Sequence, residues 1–147
     1  MRRIGIFLIL CVIATGFCFG QLPHTFTQYT SEDGLSQNTI MSILQDDKGV
    51  MWFATWDGLY KFDGYTFNNY KAHPGDSIGL SNNRLDNIKE DRYGYIWVQS
   101  YNHQVYRFNP RLERFQAIPY DNYLSLDMYV LPCGDVWIIT VQNELIH

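Results

Sequence analysis

Aromatic and polar side chains occur together at two places in the sequence that lie 45 residues apart, with Trp56 and Tyr101 as the aromatic members. Aromatic rings stack on the faces of sugar rings, and carboxylate, amide and guanidinium groups hydrogen-bond to sugar hydroxyls. These residue types therefore form a candidate carbohydrate-binding set. Its members are Trp56, Asp57, Arg84, Tyr101, Asn102 and His103. The alternative is that the two aromatic residues only cap the strands beside them.

Acidic turn residues and the histidines are the other candidates for chemistry. Asp46, Asp47 and Asp91 suggest calcium, but they lack the alternating ligand spacing of an EF-hand loop, and acidic residues beside a turn glycine are ordinary hairpin chemistry. The histidines have no metal-ligand spacing, and the sequence contains no nucleophile elbow and no phosphate loop. We therefore predict no metal site, no cofactor and no enzymatic activity. The histidines are His24, His73, His103 and His147.

One strand-like segment occurs three times and must position the candidate residues. Each copy has a glycine three residues before a tryptophan and a hydroxyl residue three after it, and the tryptophans are 45 and 40 residues apart. Self-similarity at this period is typical of repeated small sheets. We predict a structural role for the repeated glycines and tryptophans, which are Gly49, Trp52, Gly94, Trp97, Gly134 and Trp137.

The repeat extends beyond that segment. Residues 34–52 align without a gap on residues 79–97, with eight of nineteen positions identical. Turn glycines and alternating apolar residues divide each complete unit into four strands. The pattern predicts units at about 38–70, 83–118 and 124–147, of which the last is incomplete.

The second strand of each unit is apolar on both of its faces, so both faces need cover. Small antiparallel sheets that cover one another form the blades of a β-propeller. We therefore predict an all-β fold, a partial β-propeller with two complete four-stranded antiparallel blades and part of a third. A lone strand is predicted at 25–30. We also expect the uncovered ends of the array to promote self-association.

The strand order of such a blade decides where the candidate residues lie. The turn between the second and third strands opens on the same rim as the loop that leads to the next blade. The candidate set should therefore gather on one rim, with the inter-blade loops at 31–38 and 71–83. The hydroxyls of Thr55, Ser100 and Thr140 should tie the turns that follow them.

The first 20 residues have the layout of a secretory signal peptide, with two arginines before an apolar run and small residues before Gln21. An uncleaved membrane anchor is the alternative. Removal of the leader changes the formal net charge from −4 to −6, because nine basic residues then face fifteen acidic ones. The sequence has no basic patch, which argues against a nucleic-acid partner. Cys133 is the one cysteine outside the leader, so packing rather than an internal disulfide must hold the exported part together.

The string DDKGVMWFATWDGLYKFDG at 46–64, with SEDGLSQNTI before it, resembles the two-component regulator propeller repeat. The resemblance covers residues 25–147 and weakens in the third unit, where Leu131-Pro132-Cys133 replaces the acidic turn residues. It implies the periplasmic sensor region of a hybrid histidine kinase of the Bacteroidetes, anchored in the inner membrane. Such a sensor recognises oligosaccharides and controls polysaccharide-utilisation genes. The resemblance further implies a homodimer in the intact receptor and further blades that complete the propeller.

Two other functions are open at this point. A secreted propeller enzyme, such as a lyase or a quinone-dependent dehydrogenase, needs acid, base or cofactor residues on the channel-lining first strands, and residues 39–44 and 85–89 offer few of them. A structural interaction module in a secreted scaffold would share the fold. Only sequence beyond residue 147 separates that module from a sensor.

Overall fold

Apolar runs separated by turn glycines fold into eleven short strands in the part of the chain that the structure describes. This computed structural model describes residues 25–36, 39–72, 79–119 and 124–147. The strands form three antiparallel sheets of four, four and three strands, and within each sheet every strand pairs with its neighbours in the chain. They are β1 (Ile40–Gln45), β2 (Met51–Thr55), β3 (Gly58–Phe62), β4 (Phe67–Tyr70), β5 (Leu85–Glu90), β6 (Ile96–Ser100), β7 (Val105–Asn109), β8 (Arg114–Ala117), β9 (Ser125–Val130), β10 (Val136–Thr140) and β11 (Leu145–Ile146).

These three sheets confirm the predicted all-β fold of a partial propeller. The first and second sheets have four strands each, and the third has three. The predicted signal peptide, at residues 1–20, lies outside the described residues. Within the described ranges, no helix is long and apolar enough to cross a membrane.

An aspartate ties the first hairpin of each four-stranded sheet. Asp46 accepts hydrogen bonds from a backbone N–H of its own turn (2.8 Å) and from Trp52 Nε1 (2.9 Å). Asp91 repeats this arrangement, with a turn N–H at 3.0 Å and Trp97 Nε1 at 2.8 Å. Each aspartate thus holds both its turn and the tryptophan of the following strand. The turn glycines have φ between 79° and 98°, a range that favours glycine, and they are Gly49, Gly94 and Gly134.

The tryptophan of each four-stranded sheet packs against the sheet that follows. Trp52 is 1% exposed, and its ring centroid lies 5.7 Å from that of Phe108 in the second sheet. Trp97 packs in the same way against Met128 and Ile138 of the third sheet. Since other residues of β6 belong to the core between the first and second sheets, both faces of that strand are covered. The apolar pattern of the strand predicts this arrangement.

Residues 25–30, where a lone strand is predicted, pair with no strand of the described residues. Tyr29 packs with its side chain, edge-on to Phe62 (5.0 Å between ring centroids) and Phe67 (5.6 Å). The following residues, Ser31–Asp33, form a 3-10 turn. The N–H of Thr30 donates to the carboxylate at the end of this turn at 2.7 Å. The segment therefore contacts the first sheet through an aromatic side chain.

The fourth strand of the first sheet begins at Phe67, three residues after the Asp63-Gly64 pair, although Asp-Gly is a common signal of a two-residue hairpin turn. The carboxylate of Asp63 accepts hydrogen bonds from the N–H groups of Tyr65 and Thr66, both at 2.9 Å. Aspartate bonds of this kind compete with strand pairing for backbone donors. The turn is therefore longer than the Asp-Gly signal suggests.

The outward face of the third sheet leaves large apolar side chains exposed, including Ile139 and Leu145. Such patches promote association, so we expect the purified protein to self-associate with rising concentration, and Ile139→Glu to reduce this association. Size-exclusion chromatography with light scattering measures both effects. The matched control is Leu112→Glu, because Leu112 is 69% exposed but lies in the β7–β8 turn. Equal effects of the two glutamates would contradict the role of this face.

Candidate functional site

Backbone hydrogen bonds bring the two aromatic turns to the connection between the first and second sheets. Gly58 N–H, after the first turn, donates to the Asn83 carbonyl (2.8 Å), and Tyr101 N–H donates to the Arg84 carbonyl (2.8 Å). The Asn83 side chain also bonds the N–H (2.7 Å) and the carbonyl (3.1 Å) of Ala72, at the start of the connection. The turns and the connection therefore share one rim, as the strand order predicts.

Arg84 lies between the two aromatic side chains of the candidate set. Its guanidinium carbon is 4.3 Å from the centroid of the Trp56 ring and 4.1 Å from that of the Tyr101 ring. Trp56 and Tyr101 remain 41% and 54% exposed. A cation–π contact contributes about 0.5–2 kcal/mol, with the larger values in desolvated sites. We call Trp56, Arg84 and Tyr101 the rim stack; its cation occupies part of the aromatic surface and leaves the rest open to solvent.

Asp57 has a different set of neighbours on the same rim. Its Oδ2 accepts hydrogen bonds from Lys71 Nζ (2.8 Å), Ser36 Oγ (3.1 Å) and Asn69 Nδ2 (3.4 Å). Partial burial works to raise the pKa of this carboxyl, but the bonds from these three donors and the charge of Lys71 outweigh burial and bring the pKa below its usual value. Asp57 is therefore an ionised anchor of its turn, and Oδ2 is already engaged by protein donors.

Asn102 and His103 continue the second turn in different directions. Asn102 is exposed, and its Oδ1 accepts a hydrogen bond from Ser100 Oγ (2.6 Å). His103 Nδ1 lies 2.9 Å from the carbonyl oxygen of Ser125 in the third sheet. His103 thus links the second sheet to the third, whereas Asn102 stays at the surface. In the described ranges, no three His, Cys, Asp or Glu side chains are grouped as metal ligands.

The hydroxyl residues at the ends of the second strands tie the following turns, as predicted. Thr55 Oγ1 donates to the carbonyl of Gly58 (2.9 Å), and Ser100 Oγ donates to the carbonyl of Gln104 (2.9 Å). Thr140 Oγ1 accepts from a backbone N–H four residues further on (3.0 Å). These bonds fix the turns that carry the candidate residues.

Asp86 belongs to the same neighbourhood, although the sequence analysis does not select it. The pairing of β5 with β6 shifts by one residue at Asp86, which makes it the extra residue of a β-bulge. Burial raises the pKa of its carboxyl, and the charges of Arg84 and His103 oppose this rise. The three groups are therefore close enough to interact. The one sequence signal is an aspartate where the first unit has Met41.

The repeated Gly-Leu-Ser triplets hold the connections in place. The leucine of each triplet is buried. Ser81 Oγ lies 2.6 Å from the Tyr106 hydroxyl, and Ser36 makes the same contact with Tyr60. The triplet is visible in the sequence, but its tyrosine partners lie about 25 residues away in the chain, so the pairing is visible only in the structure.

A known protein family matches the first aromatic turn and the strands before it. The family described as two component regulator propeller matches residues 34–57, from the first Gly-Leu-Ser triplet through β1 and β2 to Asp57. Residues 34–57 thus match the two-component regulator propeller repeat. The triplet, hairpin aspartate, turn glycine and tryptophan of this repeat recur at aligned positions in the second sheet.

The proteins that this chain resembles include a histidine kinase and two bacterial extracellular domains. Histidine kinase P4 of Formosa agariphila is 40% identical over 83 residues, which are 55% of this chain and 6% of the kinase. The crystal structure of an extracellular domain of a hybrid two-component system from B. thetaiotaomicron superposes with a TM-score of 0.67 at 24% identity, over 85% of this chain and 20% of that one. The extracellular domain of a one-component system from the same organism gives 0.56 at 25% identity, over 74% and 16%. The chain therefore spans no more than a fifth of these relatives.

Proposed function

We propose that this chain is a ligand-sensing propeller segment of an extracytoplasmic two-component sensor, and that the rim around the rim stack recognises oligosaccharides. The observation that carries the proposal is the rim stack itself, which gathers exposed aromatic surface and a guanidinium where two sheets meet. The similarity to a histidine kinase and to the extracellular domain of a one-component system supports a sensing role.

The chemistry of the rim suits a sugar. The exposed parts of the Trp56 and Tyr101 rings offer apolar surface for the C–H face of a pyranose. The exposed Asn102 amide offers both a donor and an acceptor for hydroxyl groups. Because these residues come from turns of two sheets, a bound sugar contacts both sheets and stabilises their packing against each other. Binding thereby changes the mechanical coupling between blades, which is what a sensor needs to transmit.

In this proposal the leader exports the chain to the periplasm, and the intact sensor is anchored in the inner membrane as a homodimer. Further blades complete the propeller around the described sheets. The segment itself catalyses no reaction, and the kinase activity belongs to other parts of the sensor. A structural module or a secreted enzyme would use the same fold for another purpose, and the binding experiment below separates them.

Isothermal titration calorimetry of the purified protein tests this function with a panel of gluco-, galacto-, manno- and xylo-oligosaccharides and oligogalacturonides. We expect at least one class to bind, and Trp56→Ala and Tyr101→Ala each to weaken binding roughly tenfold or more, because each removes stacking surface of about 1–2 kcal/mol. The matched control is Tyr93→Ala. Tyr93 is 65% exposed, but its turn between β5 and β6 opens on the opposite rim.

Failure of the whole panel to bind would contradict the proposal, as would unchanged affinity in both rim variants. The same samples are analysed for products by mass spectrometry after the titration. Cleavage or elimination of any sugar would favour a propeller enzyme instead. An effect of Tyr93→Ala as large as those of the rim variants would place the ligand elsewhere.

A further inference from the structure

The Arg84 guanidinium in the rim stack has hydrogen-bonding capacity that the described protein leaves unused. A guanidinium carries five N–H donors in one plane. Arg84 Nε is buried, and no acceptor for it is present in the described part of the chain. The close acid–base pairs of the described residues join Asp57 to Lys71 and Asp135 to His147, so neither includes Arg84. An incoming oxyanion can use the other N–H groups of this guanidinium, which neither of these pairs engages.

The surroundings of the guanidinium determine how an acceptor reaches it. The Trp56 and Tyr101 rings flank it at 4.3 and 4.1 Å, so an acceptor approaches along the edge of the guanidinium plane. The backbone is fixed as well, because Arg84 N–H donates to Asn82 Oδ1 (2.9 Å) and the Arg84 carbonyl accepts from Tyr101 N–H (2.8 Å). A planar guanidinium that is held in position before binding suits an oxyanion, because an oxyanion accepts two parallel hydrogen bonds from it.

We propose that Arg84 binds an oxyanion carried by a sugar ring, a carboxylate or a sulfate, and that the ligand of this rim is an acidic oligosaccharide. This inference rests on the proposed function and adds the chemical class of the ligand. Lys71, a basic residue of the same rim, is already engaged by Asp57 at 2.8 Å. Arg84 therefore supplies the positive charge, and the two rings supply surface for the sugar that carries the anion.

The test compares pairs of probes that share a sugar backbone and differ in whether its anionic groups are present. Calorimetry of the purified protein is carried out with tetragalacturonate and its methyl ester, and with a sulfated galactan tetrasaccharide and its desulfated product. We expect the charged member of a pair to bind roughly tenfold tighter or more, as a charge-assisted bidentate contact implies. The probe pair with the larger ratio of charged to neutral affinity shows whether the site prefers a carboxylate or a sulfate. Equal affinities within both pairs would overturn the inference while leaving oligosaccharide binding intact.

One variant connects the preference to Arg84. Arg84→Gln should lower the affinity for the charged probe more than that for its neutral partner and bring the ratio of the two affinities close to one. A merely structural Arg84 would lower all affinities together, which would overturn the inference. If Arg84→Gln does not fold, the probe pairs measured on the unaltered protein still decide whether the rim prefers an acidic sugar. Absence of binding by every probe would instead contradict the proposed function itself.

Discussion

Trp52→Ala is expected to lower the free energy of unfolding by about 3–5 kcal/mol, the range for removal of a large aromatic side chain from a core. Trp52 is 1% exposed, and its ring lies 5.7 Å from Phe108 and 6.2 Å from Tyr70, measured between centroids. Its indole N–H donates to Asp46 at 2.9 Å. The substitution therefore opens a cavity between two sheets and also removes a donor from the carboxylate that holds the hairpin.

The matched control is Trp137→Ala, at the same repeat position in the third sheet. Trp137 packs on the face that no described sheet covers, where it stacks on His147 at 4.4 Å. Its removal empties no enclosed space, so we expect a loss of about 1 kcal/mol. Urea unfolding followed by far-UV circular dichroism measures both losses. Similar losses for the two tryptophans would mean that sheet-to-sheet packing is not the source of stability.

The sequence predicts the fold well because the same physical constraints act three times. Each repeat has a glycine with positive φ and a hydroxyl that ties the next turn, and the tryptophans of the first two units pack against the sheet that follows. The start of β4 is harder to predict, because the Asp63 carboxylate takes backbone donors in the turn before it. Pairing also depends on a partner edge, which no local pattern reports, and residues 25–30 have no such partner among the described strands.

The candidate site is less predictable, because proximity on a rim does not specify contacts. Strand order places Trp56 and Tyr101 on one rim with the connection between sheets, and the structure agrees. That Arg84 lies between their rings depends on the side-chain conformations of three separate segments. The position of the Asp86 side chain depends on a β-bulge, and this one-residue shift cannot be seen in the apolar pattern of the sequence. The one-residue shift decides whether a carboxylate reaches the neighbourhood of the cation.

Gly58 affects both the stability of the fold and the position of the rim turn that carries Trp56. Its φ is 109°, and a Cβ at this position would lie 2.6 Å from the Tyr70 carbonyl oxygen and 2.8 Å from Lys71 Cβ. The equivalent turn residues, His103 and Asn143, have φ of 64° and 61°, values that side chains other than glycine do adopt. Gly58 differs from them because β4 passes close beside it, so that only a residue without a side chain fits.

Gly58→Ala is therefore expected to lower the free energy of unfolding by about 3 kcal/mol or more, since backbone strain of about 1–2 kcal/mol adds to an overpacking term of similar size. Gly64→Ala is the matched control: φ is 101°, and no atom lies within 4 Å of its added Cβ. It should incur the strain alone, so the difference between the two variants in urea unfolding measures the clash with β4.

Because relief of that clash moves the turn that carries Trp56, Gly58→Ala should also weaken oligosaccharide binding, whereas Gly64→Ala should not. Equal stability losses and equal binding in the two variants would mean that β4 yields to the added methyl group without disturbing the rim.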